Sequence, residues 1–315
     1  MGLLIDGIWG EERERLESGA YERPSSTFRN WIEPGGSHPP ARGRYHLYIS
    51  LACPWASRTN MARTLKGLED VIGLSIVHPD MLDNGWMFAP EPEPLFGARY
   101  LHEIYTRADR QFTGRVTVPI LWDIDAQTIV NNESGDIVRM LDQAFGEWAD
   151  PAITLRPPEI VTEIDALNDA MYETVNNGVY RAGFARSQAA YETAVIPLFD
   201  MLAAFDTRLS DRRFLMGDRL TEPDIRLFTT CVRFDPVYHG HFKCNLAHLW
   251  DFEHLQGWLR DVYQWPGVAK TVDLEQIRRH YYGSQRWVNP SGIVPVGPIV
   301  DLAAPSSRTY LGAGS

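Results

Sequence analysis

Between residues 44 and 146 the hydrophobic period of this chain switches repeatedly between two and about 3.6 residues, and from residue 159 the longer period takes over. "RYHLYISL" (44–51) alternates and is rich in aromatic and branched residues, which predicts a strand. "PWASRTNMARTLKGLE" (54–69) opens on proline and spaces its apolar residues by three and four, which predicts a helix. "VIGLSIVHP" (71–79) is a second strand. After a Pro- and Gly-dense insertion at 80–114, with a short helical patch near "ARYLHEIYTRA", come the strands "RVTVPILWD" and "QTIV", then "NNESGDIVRMLDQAF" as loop into helix. The order strand, helix, strand, insertion, strand, strand, helix suits a mixed sheet flanked by helices, a thioredoxin-like α/β domain. From "PPEIVTEIDALNDAMYETV" onward the pattern predicts an all-helical domain, one of whose helices, "LTEPDIRLF", starts at Thr221 with Asp224 three residues on, in the manner of a capping box.

A chain of 315 residues has room for two such cores. The expected division is an N-terminal arm (1–43), a thioredoxin-like domain (44–146) carrying the insertion 80–114, a linker (147–158), a helical domain (159–285) and a C-terminal coil (286–315). No run approaches the roughly 18 to 20 apolar residues of a membrane span, and the opening "MGLLIDGIWGEERE" is no secretory leader, so a cytoplasmic protein is expected. A net charge of −11 disfavours nucleic acid and anionic membranes and favours a small-molecule substrate. Three scattered cysteines, Cys53, Cys231 and Cys244, make neither a disulfide framework nor a zinc set. His239 and His241 in "YHGHFKC" come nearest to a metal-ligand pair, but without suitable partners they read as polar packing, and no metal is expected.

Cys53 differs from the other two. In "ISLACPWAS" it follows a strand and precedes a proline at a helix start, where unpaired N–H groups and the helix dipole stabilise a thiolate. Three residues on, where a dithiol protein would carry its resolving cysteine, stands Ala56. Local argument leaves two readings of Cys53 open, a nucleophile or a small buried hydrophobe. Cys231 and Cys244 lack the setting and read as core.

Five separated motifs, "ACPWA", "GRVTVPILWD" with "IVNNES", "TVNNGVYRAGFA", "TEPDIRLFTTCVRFDPVYHGHFKCN" and "HYYGSQRWVNPSGIVPVGP", together resemble the glutathionyl-hydroquinone reductases, the Xi class of glutathione transferases. The resemblance spans about residues 1 to 300. It departs from the family at Ser284-Gln285, where the family usually has Ser-His. It implies a thioredoxin-like N-domain, a helical C-domain, a homodimer, and glutathione-dependent conversion of an S-glutathionyl-hydroquinone to the hydroquinone. Cys53 would form a mixed disulfide with glutathione, and a second glutathione would resolve it to glutathione disulfide. Tyr180, Tyr238 and Tyr281 stand at the family's substrate-site positions, although residue type alone would favour a structural role for each. Trp86 matches a glutathione-contacting tryptophan. The Val118–Pro119 bond, cis in thioredoxin-like folds, would expose the Val118 backbone to glutathione's cysteinyl unit. Glu133 and Ser134 would hold the γ-glutamyl end, or simply cap a helix. Arg99 and Arg115 are candidates for the glycyl carboxylate that spacing does not separate. Two rivals share parts of this pattern. One is an omega-like thiol transferase or dehydroascorbate reductase, and the other a non-catalytic glutathione-fold binding protein.

Overall fold

A computed structural model describes residues 2–11, 21 and 23–308. The chain divides into two compact units: residues 1–14, 24–153 and 271–280, and residues 15–23, 154–270 and 281–315. The helix that the sequence assigns to the helical domain, Leu274–Ser284, therefore contributes residues to both units.

The first unit opens with a hairpin, β1 (Gly2–Ile5) and β2 (Ile8–Glu11), where the sequence reading expects an extended arm. Its cause is the Asp6-Gly7 pair. Both residues adopt positive φ (49° and 77°), as a tight two-residue hairpin turn requires. Trp9 on β2 stacks on His102 at 4.9 Å and donates its indole N–H to the Asp83 carbonyl, fastening the hairpin to the insertion.

The main sheet starts with β3 (Tyr45–Ile49), every residue of which is buried. Helix α1 (Pro54–Leu65) then crosses over to β4 (Ile72–Ile76), which pairs parallel to β3, the connection a parallel pair demands. Buried Arg63 on α1 donates to the carbonyls of Glu69 and Ile72, fixing where β4 begins. In the insertion, α2 (Leu101–Ala108) forms where the helical patch predicts it, and β5 (Gly114–Arg115) pairs with β1. Buried Glu93 organises the insertion by accepting from the Tyr48 hydroxyl and the Leu95 and Phe96 amides. Strands β6 (Ile120–Asp123) and β7 (Thr128–Asn131) complete a four-stranded sheet of order β4-β3-β6-β7, antiparallel from β3 onward. Helix α3 (Ser134–Gln143) packs on α1.

Residues 28–32 run along β7, with Asn30 N–H donating to the Val130 carbonyl and Asn132 N–H to that of Phe28. They cover what would otherwise be an exposed sheet edge. Asp123, fully buried, ties down the chain between this segment and β3 through Arg44 and His38 at 2.6 and 2.8 Å.

The second unit is helical. Helix α4 (Val161–Met171) runs into a wider π turn at Tyr172–Asn176, followed by α5 (Gly178–Phe184) and the long α6 (Gln188–Arg208). Helix α7 (Glu222–Cys231) begins in a true capping box. Asp224, buried there, accepts from the Thr221 and Leu215 amides, the Thr221 hydroxyl and the Trp258 indole. A second π turn, Phe234–Tyr238, precedes the short α8 (His239–His241), then α9 (Glu253–Tyr263); α10 is Leu274–Ser284. Residues 286–308 contain no helix or strand, and Arg308 is buried with its guanidinium on the Leu209 carbonyl. Among the described residues no helix is long and apolar enough to cross a membrane. A mixed thioredoxin-like layer followed by an all-helical unit is the architecture the alternation predicts.

Candidate active site

Cys53 is the N-cap of α1, in extended conformation (φ −79°, ψ 121°), with buried Pro54 as the first helical residue. Strand β3 and the following turn deliver it there: its N–H donates to the Ser50 carbonyl, and its own carbonyl accepts the first helical bond, from Ser57, at 2.9 Å. The thiol is half-buried and lies 3.7 Å from the Val118 carbonyl oxygen. Val118–Pro119 is cis. Cys231 and Cys244 are buried, and burial pushes both thiols up, away from the reactive thiolate.

Glu133 caps α3, its Oε1 accepting from the Gly135 amide at 3.2 Å. Two partners meet Glu133 and Ser134 that residue spacing could not disclose. Ser26 donates to Glu133 Oε2 at 3.0 Å, and Arg58, buried on α1 and stacked 4.4 Å over the Trp55 ring, reaches Ser134 Oγ at 3.5 Å. Ser26 lies more than a hundred residues from Glu133 in sequence, so no local signal announces it. The helix start thus offers N–H donors, a hydroxyl, a carboxylate and a guanidinium within one small region, the set of groups that could hold an amino acid's ammonium and carboxylate ends. Trp86 is buried and stacks at 4.7 Å on His280, whose Nδ1–H donates to the Pro79 carbonyl. Arg99 is exposed and Arg115 sits in β5; the geometry of neither assigns it a carboxylate.

In the second unit the three tyrosines converge. Tyr180 follows the first π turn and Tyr238 closes the second, so each hydroxyl is aimed by a local break in the 3.6-residue repeat. Tyr281 Oη lies 2.6 Å from Tyr180 Oη and 3.0 Å from Tyr238 Oη, making it the middle of a three-hydroxyl chain. Burial first, then the neighbouring Tyr180 and Tyr238, push Tyr281 well above its ordinary value, so it stays protonated. Phe242, which sequence reasoning did not single out, stacks on Tyr238 at 5.4 Å and meets Tyr180 and Tyr281 edge-on. Gln285, in place of the family histidine, accepts from His241 Nε2–H at 3.0 Å, and burial lowers His241 to about 4, leaving it neutral. Among the described residues there is no cluster of three or more His, Cys, Asp or Glu side chains arranged for a metal ion.

A thiol at a helix start beside a cis-proline turn, on a thioredoxin-like sheet followed by a helical unit, defines a glutathione transferase. The family models "Glutathione S-transferase, N-terminal domain" and "Glutathione S-transferase, C-terminal domain" match residues 52–144 and 188–261. Glutathionyl-hydroquinone reductase YqjG of Escherichia coli is 47% identical over 98% of this chain and 98% of its own. Glutathionyl-hydroquinone reductase PcpF of Sphingobium chlorophenolicum is 49% identical over 96% and 98%. Among solved structures, a Xi class transferase from Natrialba magadii superposes with a TM-score of 0.92 at 48% identity, covering 98% of this chain and 97% of that one. The glutathione-bound structure of YqjG gives 0.89 at 46% identity, covering 98% and 99%. The chain belongs to the Xi class of glutathione transferases, the glutathionyl-hydroquinone reductases.

Proposed function

We propose that this protein is a glutathionyl-hydroquinone reductase that works through Cys53 as its single protein thiol. The overall reaction consumes an S-glutathionyl-hydroquinone and one glutathione and yields the hydroquinone and glutathione disulfide. Its family membership and its relatives' names support the activity. Ala56 supports the one-thiol course, because it leaves no resolving cysteine one helical turn from Cys53.

The chemistry proceeds in two exchanges. The conjugate's aromatic ring first tautomerises to a ketone form, so that the carbon bearing sulfur can accept an electron pair. The Cys53 thiolate, favoured at the positive end of α1, attacks the glutathionyl sulfur. The S–S bond forms, the C–S bond breaks, and its electron pair passes into the ring as an enolate that takes up a proton to become the hydroquinone. The two sulfurs are oxidised to a mixed disulfide and the ring is reduced. A second glutathione thiolate then attacks the glutathionyl sulfur of that disulfide and releases Cys53 as thiolate.

The Val118 backbone pairs with the cysteinyl unit of glutathione at the cis-Pro119 turn, Trp86 covers the peptide, and Glu133 and Ser134 hold the γ-glutamyl end. Tyr180, Tyr238 and Tyr281 supply the proton and the hydrogen bonds the ring oxygens need as charge develops there. The observation that most favours an aromatic thioether over a simple mixed disulfide is the buried chain of three hydroxyls, which thiol exchange alone does not require. We place the enzyme in the cytoplasm as a homodimer; its free cysteines suit a reducing compartment.

Turnover of a glutathionyl-hydroquinone by the wild type and Cys53→Ala, with the protein followed by mass spectrometry, tests the reading. The wild type should release hydroquinone and carry a glutathione adduct on Cys53, and the variant should do neither. Activity that survives in Cys53→Ala overturns the mechanism.

A further inference from the structure

Within the first unit, the backbone around Trp86 is fixed from several sides. The Gly85 N–H donates to the Leu82 carbonyl at 2.8 Å and Gly85 adopts positive φ (72°), so residues 82–85 close a tight turn. The Trp9 ring lies against Gly85, where an added side chain would meet it at 2.8 Å, and the Trp9 indole N–H holds the Asp83 carbonyl. On the far side the Trp86 carbonyl accepts from the Leu101 amide at 2.9 Å, and the His78 amide donates to the Met87 carbonyl at 2.8 Å. These bonds fix where the Trp86 side chain begins, but rotation about its own bonds is a separate freedom. His280 meets that freedom directly. Its ring lies 4.7 Å from the indole with planes 17° apart, and both side chains are buried. The imidazole is oriented in turn, because Nδ1–H donates to the Pro79 carbonyl at 2.8 Å, while the preceding Arg279 makes a two-pronged ion pair with Asp80 at 2.6 and 2.7 Å. All of these residues belong to the same compact unit.

Stacked rings hold each other's orientation, and such a pair is worth more than the area it buries. We propose, resting on the reading above that Trp86 covers glutathione, that His280 is a positioning residue for glutathione binding: it holds the indole in the plane against which the peptide lies. The dependence runs from helix to ligand. Pro79 sets the plane of the imidazole, the imidazole sets the plane of the indole, and glutathione meets a face that it does not have to order on binding. The alternative is that His280 only fastens α10 to the insertion. In that case the bond to Pro79 matters, the stacked ring does not, and a substitution changes stability without changing glutathione affinity.

The test titrates glutathione calorimetrically into the wild type, His280→Ala, His280→Phe, His280→Asn and Trp86→Ala, a reading that needs no turnover. Steady-state reduction of a glutathionyl-hydroquinone supplies kcat and the KM for glutathione. His280→Ala should weaken glutathione binding by about fivefold, with KM rising to match and kcat holding. His280→Phe keeps a flat ring without the Nδ1–H and should recover part of the affinity. His280→Asn keeps a donor for the Pro79 carbonyl without the ring and should bind as weakly as His280→Ala. In a Trp86→Ala background, His280→Ala should cost nothing further. A Phe variant no tighter than the Asn variant, or a loss that persists without Trp86, overturns the proposal. So does a fall in kcat at unchanged glutathione affinity, which would assign His280 to Tyr281, the next residue in the chain. If His280→Ala does not fold, the ranking of the Phe and Asn variants decides. A Trp86→Ala protein that binds glutathione like the wild type defeats the reading of Trp86 itself, whereas a loss in Trp86→Ala without one in His280→Ala defeats this proposal alone. A wild type that turns over no glutathionyl-hydroquinone defeats the proposed function, while the calorimetry still decides the role of His280.

Discussion

At the scale of single residues, the middle position of Tyr281 separates it from its neighbours. Tyr281→Phe removes the contacts with both neighbouring hydroxyls at once, and Tyr180→Phe or Tyr238→Phe removes the contact with Tyr281. We therefore expect Tyr281→Phe to lower kcat on a glutathionyl-hydroquinone by about 100-fold, the lower end of what a positioned acid contributes, with glutathione KM unchanged. A KM change without a kcat change, in steady-state kinetics, would assign Tyr281 to binding instead. Residue type alone could not single these tyrosines out from core tyrosines such as Tyr45 and Tyr105, both buried as well. The family motifs pointed to them, and only the fold shows that residues about a hundred positions apart share one chain of hydrogen-bonded hydroxyls. Cys53 is the opposite case: strand, cysteine, proline and helix adjoin in the sequence, so its place at the helix start could be read locally. Ser26 and His280 could not be read at all, since their partners Glu133 and Trp86 lie far along the chain.

At the scale of elements, legibility followed how local the cause was. The capping box of α7 needs only Thr221 and Asp224 and was predicted. The hairpin β1–β2 was equally local, because an Asp-Gly pair between apolar runs is a strong turn signal, yet the Pro- and Ser-rich character of the rest of the arm masked it. The π turns at Tyr172–Asn176 and Tyr238 were illegible, since one extra residue in a turn arises from packing of neighbouring helices and leaves the 3.6-residue pattern on either side intact. The capping box carries its own prediction. Asp224→Ala leaves the Leu215 and Thr221 amides and the Trp258 indole buried without their acceptor, so α7 should lose on the order of 3 kcal/mol of support. Urea unfolding should register this as a lower midpoint, with Asp224→Asn, which keeps an acceptor oxygen, retaining part of it.

At the scale of the whole molecule, the two units share one electrostatic liability. Each buries a histidine held neutral: His46 in the first, against Ser75 Oγ at 2.8 Å, and His241 in the second. Burial lowers both from 6.5 to about 4. Between those values the unfolded chain binds more protons than the folded one. The stabilisation is therefore complete above about pH 6.5 and drains as pH falls toward 4, by roughly 1.4 kcal/mol per pH unit for each histidine. Urea midpoints measured from pH 7.5 to 4.5 should fall, and His46→Gln should flatten the part of the decline due to the first unit. An unchanged slope in that variant would mean that another group carries the proton uptake.

Helix α1 buries ten of its twelve residues, among them Arg58 and Arg63, so it has almost no solvent face. The consequence is one of mutational latitude. Most helices offer an outer row of positions where substitutions drift freely, but on the helix that presents Cys53 nearly every change must be absorbed by packed neighbours. Natural or laboratory variants that retune this thiol should accumulate in the segments laid against the helix and its partners, such as the stretch around Ser26, rather than on α1. A saturation scan of residues 24–65, scored for folding and for turnover separately, would show that asymmetry directly.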